Sequence, residues 1–176
     1  MLIRTATEGD LPAMQRIETW YETEFVWQME QRSAREEIST VLRTIRLPRP
    51  MRTSPPFAIA DLVQRWQDVS RLLVATDEGL VVGYLALEAP EGSSYARITH
   101  MAVVPRRRRQ GIARQLCQEA MRWAAGRRFT SLTAETQTKN YPAICLLQRY
   151  GFSFCGYNDR LYPNKDIALF FYRDLS

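Results

Sequence analysis

The stretch Arg108-Arg109-Gln110-Gly111-Ile112-Ala113 lies where one hydrophobic period gives way to another. Ahead of it, Ser94 to Val104 reads as a strand that Pro105 stops, since proline brings no donor to a ladder. Behind it, Ala113, Leu116, Cys117, Ala120 and Ala124 share one helical face, with Arg114, Gln118, Glu119 and Arg122 opposite. Ile112 to Ala125 is therefore an amphipathic helix. Phe129 to Glu135 returns to strand, and strand, turn, helix, strand in that order make a parallel crossover. Its turn sets backbone N–H groups at a helix N-terminus, where the helix adds about half a positive charge. Gly111 lets the main chain approach a ligand closely, and the small Ala113 leaves the helix start uncrowded. Arg108 and Arg109 are placed to add charge-assisted contacts. A pyrophosphate suits such a site.

Working outward, Asn140 caps a further helix with Pro142 in its first turn, where a missing donor costs little, and Gly151 ends it. Strands at Phe152 to Tyr157 and Ile167 to Arg173 complete the chain. Upstream, Arg71 to Thr76 and Leu80 to Glu88 form a hairpin about Asp77-Glu78-Gly79. Earlier still, Leu2 to Thr5 is a strand, and Thr7 caps a helix marked by Leu11, Met14 and Ile17. Ser33-Ala34-Arg35-Glu36 has a capping-box pattern, so Ile38, Val41, Leu42 and Ile45 predict a second helix. Prolines between Leu47 and Pro56 predict a long irregular loop, followed by a helix on Ile59, Leu62, Val63 and Trp66.

The chain has 176 residues, enough for one domain with a full core, and its 45% hydrophobic and 24% charged composition is that of a globular protein. No apolar run approaches the roughly 20 residues that span a bilayer, and the first ten residues carry no signal-peptide stretch, so no membrane contact and a cytoplasmic location are expected. Cys117, Cys145 and Cys155 have no metal-like spacing and lie among apolar neighbours, which predicts buried thiols and no metal site. Arg106 to Arg109 account for most of the net charge of +5. A basic cluster beside a glycine fits a compact anion better than a nucleic-acid backbone, so no nucleic-acid partner is expected.

The motif Arg/Gln-x-x-Gly-x-Gly/Ala resembles the signature of the GNAT superfamily of N-acetyltransferases, here Arg108 to Ala113. The likeness extends over Ile98 to Phe152. Met101-Ala102-Val103 is similar to the strand that pairs with the pantetheine arm of acetyl-coenzyme A, and Asn140 with Ala143 to the second cofactor helix. The resemblance implies an α/β (α+β) single-domain GNAT fold over residues 1–176, a mixed sheet of about six or seven strands flanked by helices. Residues 1–90 are expected to shape the acceptor site and 91–176 to bind acetyl-CoA. Arg108, Arg109, Gln110, Gly111, Ile112 and Ala113 would then hold the cofactor with Met101 to Val103, Asn140 and Ala143. Tyr95 to Leu175 most resembles streptothricin acetyltransferases, through Glu135-Thr136-Gln137, Leu161-Tyr162 and Phe170-Phe171-Tyr172. A small-molecule amine is the acceptor this implies. Pairing of two chains is common in the superfamily, so a homodimer is one expected state.

Such enzymes use direct attack of an amine on a thioester. An alkylamine with pKa about 10.4 is roughly one part in a thousand neutral at pH 7, so a proton acceptor is needed. Glu135 is one candidate, at the C-terminal end of the strand after the crossover helix. His100, the sole histidine, is another, although a strand bulge would decide which way it faces. The family often has a leaving-group tyrosine four residues after Ala143, where this chain has Leu147; Tyr150 is the nearest substitute. Tyr162 and Tyr172 are candidates for the acceptor wall, Trp20, Tyr21, Phe25 and Trp27 for a cluster between the first two helices, and Arg46, Arg49 and Arg52 for a lid. Acetylation of a protein lysine or N-terminus, and binding of acyl-CoA without turnover, remain as alternatives to small-amine acetylation.

Overall fold

A computed structural model describes residues 1–175. Nine strands and four helices follow one another as β1 (Leu2–Thr5), α1 (Leu11–Gln15), β2 (Tyr21–Ser33), β3 (Ile38–Thr53), α2 (Ile59–Gln64), β4 (Arg71–Asp77), β5 (Leu80–Glu88), β6 (Tyr95–Val103), α3 (Ile112–Gly126), β7 (Ser131–Gln137), α4 (Tyr141–Arg149), β8 (Ser153–Asn158) and β9 (Ala168–Asp174). Seven of the strands form one mixed sheet in the order β1-β4-β5-β6-β7-β9-β8. Only β6 and β7 run parallel, joined by the crossover through α3.

The central strands are buried on both faces, which explains their near-continuous apolar sequence. Leu73, Ala75, Leu85 and Leu87 face α3 and α4, with Leu116, Ala120 and Leu132. Leu72, Val74, Tyr84 and Ala86 face α1 and α2, with Met14 and Leu62. Gly83 on β5 lets β6 and the start of α3 pack close against it. A Cβ there would stand 3.0 Å from the carbonyl oxygen of Ala102 and 3.3 Å from Ile112, the first residue of α3.

The first half departs from expectation in one region. Ile38 to Ile45 is not helical, and the proline-rich stretch after it is not a loop as far as Thr53: both belong to β3, which pairs with β2 in a separate two-stranded ribbon. The apparent capping box is the turn between them, where the N–H of Ala34 donates to Glu37 O at 2.8 Å. Helical spacing was outweighed by the β-branched content of Ile38-Ser39-Thr40-Val41 and by the partner strand. Residues 47–50 fall where the register slips between Thr23 and Phe25, so Pro48 and Pro50 interrupt no continuous ladder. Trp20 to Trp27 accordingly lie before and along a strand, not between two helices. Trp27 packs on Phe154 and Phe171, seating the ribbon against the main sheet. The cysteines also differ from expectation: Cys117 is buried, Cys145 half-buried and Cys155 exposed on the edge strand β8.

Candidate functional site

A gap in the sheet creates the site. Strand β6 pairs with β7 from Tyr95↔Ser131 only as far as Ile98↔Ala134. Beyond that point β6 continues on β5, and β7 continues on β9, so the two parallel strands splay apart. The splay starts at a bulge: Ala86 faces His100 and Leu87 faces Ile98, which leaves Thr99 as the extra residue. Backbone groups of β6 past Ile98 thus lack a β7 partner on that side.

Into this gap opens a cleft of about 770 Å³, counting space continuous with solvent. Its walls include His100 and Met101 from β6, Glu135 and Gln137 from β7, Asn140, Ala143 and Leu147 around α4, and Tyr162 from the loop before β9. Ala102 and Val103 turn instead to the two opposite cores. Tyr150 ends α4 and is not among the cleft-lining residues, whereas Leu147 is. Tyr172 is likewise outside the cleft, on β9.

Glu135 is the one charged residue among those lining the cleft. Burial pushes its carboxyl up from the ordinary carboxylate range, while a hydrogen bond donated by Tyr162 at 3.2 Å pulls it partly back. His100 is held the other way: burial first, then the Arg65 charge, lowers its pKa and favours the neutral ring. Its Nδ1 lies 3.1 Å from Thr99 Oγ1, and its buried Nε2 has no hydrogen-bond partner among the described residues. Gln137 anchors the floor. It accepts from Tyr21 Oη at 2.9 Å and donates to the buried Asp166, which also pairs with Lys139.

A 3-10 turn at Pro105–Arg107 links β6 to the turn at the start of α3. Gly111 has φ +84°, the left-handed conformation that favours glycine, and nothing lies within 4 Å of where a Cβ would stand. Arg109 also has positive φ, at 63°. Among the described residues, no acceptor meets the backbone N–H groups from Arg109 to Arg114, and the ladder resumes with Gln115 donating to Gly111 O at 3.1 Å. A continuous set of donors at a helix N-terminus suits a multiply charged anion such as a diphosphate. The arginines divide their roles. Arg108 turns inward, donating from Nε to Val103 O at 3.0 Å and from Nη2 to Glu18 O at 2.9 Å. Arg107 pairs with Asp77 and donates to Gln110 Oε1, bracing the turn from below. Arg109 is exposed at its rim.

Of the proposed lid arginines, Arg46 pairs with Glu24 and Arg52 with Glu22, with Arg52 also stacked 4.1 Å over Trp20. None of them lines the cleft. Sequence inspection missed Thr19, Phe57 and Tyr84, all of which do. The available signal was the strict alternation of Tyr21, Thr23, Phe25 and Trp27 with glutamates and other residues. It identifies a strand and would have brought Thr19 and the segment after Thr53 beside the sheet.

The model of the acetyltransferase (GNAT) family matches residues 14–152. A streptothricin acetyltransferase of Escherichia coli is 33% identical over 82 residues, 44% of this chain and 47% of that protein. The match thus spans about half the length of that curated relative. The crystal structure of a nourseothricin acetyltransferase superposes with a TM-score of 0.84 at 23% identity, over 99% of this chain and 98% of that one. A Bacillus anthracis str. Ames protein, described as a candidate streptothricin acetyltransferase and solved with acetyl coenzyme A, gives 0.74 at 18% identity, over 98% and 96%. At these identities the two structures speak to the fold. No helix among the described residues is long and apolar enough to cross a membrane.

Proposed function

The chain belongs to the acetyltransferase (GNAT) family, and from that premise we propose that it moves an acetyl group from acetyl-coenzyme A to a primary amine of a small molecule. The observation that carries the proposal is that the splayed strand β6, which walls a cleft whose one charged residue is a carboxylate, leads through residues 104–108 to the unpartnered N–H groups of the turn before α3. Acetyl-coenzyme A when bound supplies the thioester carbonyl. The N–H groups of Arg109 to Ala113 would hold its diphosphate, and the free backbone edge of Met101 to Val103 would hold its pantetheine arm. Asn140, whose Oδ1 accepts from the N–H of Ala143 at 3.2 Å, would fix the facing end of α4.

Glu135 takes the role of proton acceptor. Its partial burial raises its basicity toward what a near-neutral base needs, and Tyr162 keeps one carboxylate oxygen oriented. His100 is a second candidate favoured by one observation, its buried and unpartnered Nε2. Leu147 lines the cleft and Tyr150 does not, so no tyrosine is assigned to the thiol side, and a thiolate with pKa about 8.5 leaves without one. A cleft narrowed by Phe57 and Tyr162 favours a small amine over an extended peptide. By the similarity to streptothricin acetyltransferases, an amine of a streptothricin-type antibiotic falls within the proposed range.

Thiol release from acetyl-coenzyme A, followed against a panel of amines, tests the proposal. Glu135→Gln is expected to lower kcat at pH 7 by about 10²- to 10⁴-fold without changing cofactor affinity. Cofactor binding with no thiol release from any amine would support a non-catalytic acyl-CoA module instead. An unchanged pH–rate profile in Glu135→Gln would transfer the base to His100.

A further inference from the structure

Phe57 occupies an unusual place. It belongs to the short link between β3 and α2, outside the crossover that forms the anion turn, yet it lines the cleft. The ring meets Tyr162 edge-on at 5.5 Å between centroids and tilts over His100 at 5.8 Å. It therefore touches both the residue that donates to Glu135 and the residue with a free imidazole nitrogen. Even so, Phe57 is 39% exposed, so part of the ring faces open space.

Its position is fixed from both ends. Before it, Thr53 pairs with Tyr21, whose hydroxyl is bound to the cleft residue Gln137. After it, Leu62 of α2 is wholly buried with Met14 and Tyr84. Pro55 and Pro56 immediately precede the ring and hold φ near −65°, which stiffens the link where it bends at Pro56 and Phe57. A ring so held is a wall and not a swinging lid.

The charge pattern completes the picture. No arginine or lysine is among the cleft-lining residues, and Glu135 stands alone. An acceptor carrying a carboxylate beside its amine would meet no cation there and would face Glu135. An ammonium on a slender apolar stem finds a carboxylate at its head and aromatic faces along its side.

Resting on the transferase reading above, we propose that Phe57 is a specificity-determining residue that, with Tyr162 and Glu135, selects a cationic primary amine whose neighbouring carbon bears no carboxylate. n-Pentylamine and L-norleucine share a chain and differ at that carboxylate, so they form a suitable pair of probes. Saturation-transfer NMR on the full chain, with coenzyme A in place of acetyl-coenzyme A so that the probe is not acetylated, is expected to show binding of n-pentylamine and none of norleucine. Phe57→Leu is expected to weaken n-pentylamine roughly 2- to 30-fold, and Phe57→Tyr, which keeps the ring, to restore it. Cofactor affinity by calorimetry is expected to be equal in all three proteins, which also verifies that the variants fold. With pentylamine turned over, the loss is expected in KM with kcat little changed.

Equal binding of norleucine, no binding of n-pentylamine, or an unaltered n-pentylamine affinity in Phe57→Leu would overturn the inference while leaving the transferase reading intact. Failure of thiol release across the amine panel, with n-pentylamine still bound in a Phe57-dependent way, would overturn the transferase reading alone.

Discussion

Gly111 offers the sharpest separation of binding from folding. The residue sits at φ +84° with no atom within 4 Å of a built Cβ, so a Cβ there meets no steric conflict. The cost to the fold is conformational alone, about 1–2 kcal/mol for an L-residue held in the left-handed region. For a domain of this size that lowers Tm by about 2–8 °C. The alternative open to the variant is to relax the turn out of that region, which swings the N–H groups of Gly111 and Ile112 away from a shared focus. Hydrogen bonds to a charged group are each worth about 1.5–3 kcal/mol, so losing two weakens acetyl-coenzyme A by about two to four orders of magnitude. Asparagine enters the left-handed region more readily than alanine, and valine least readily. Affinity by isothermal titration calorimetry is therefore expected to fall in the order Gly111, Gly111→Asn, Gly111→Ala, Gly111→Val, with circular dichroism unchanged. A Gly111→Val protein that binds acetyl-coenzyme A as tightly as the parent would refute the assignment of this turn as the diphosphate site.

Two further outcomes follow from the same geometry. Tyr162→Phe removes the hydrogen bond that favours ionised Glu135, so the Glu135 pKa rises further above its ordinary range. The acidic limb of kcat/KM is then expected to move to higher pH, with the pH-rate profile as the check and an unmoved limb as the contrary result. Gly83→Ala forces a methyl group against the Ala102 carbonyl oxygen at 3.0 Å and against Ile112. Because one neighbour is backbone, it is expected to cost about 1–3 kcal/mol, seen as a Tm about 2–12 °C lower in differential scanning calorimetry; a Tm equal to the parent's would mean that sheet and helix are less tightly apposed than this.

The second half of the chain was legible because its elements are specified locally. Pro105 stops β6, Gly111 supplies a backbone conformation that other residues resist, and Asn140 and Pro142 open α4, so each boundary is marked by residues within a turn of it. Expected elements and observed ones there differ by a residue or two. The ribbon defeated the same method, since Ile38, Val41, Leu42 and Ile45 fit a helical face and only pairing with β2, across the turn at Ala34 to Glu37, decides otherwise. A strand's stability comes from its partner, and sequence spacing alone does not display the partner.

That difference explains why the two sides of the site were unequally visible. The anion turn is made from consecutive residues, and its requirement for a glycine and for free N–H groups is a property of the backbone at that point. The acceptor wall is assembled from Thr19, Phe57, Tyr84, His100, Glu135 and Tyr162, which come together only after the ribbon, the sheet and the loop before β9 are in place. No short motif encodes such a set, so a chain of this kind can keep its turn unchanged while single substitutions in the ribbon link alter what the cleft admits. Phe57 is the position where that freedom is greatest, because its ring contacts the reactive side chains while its backbone lies outside the main sheet. Acceptor preference is therefore expected to change with residues 54–58 well before cofactor affinity does.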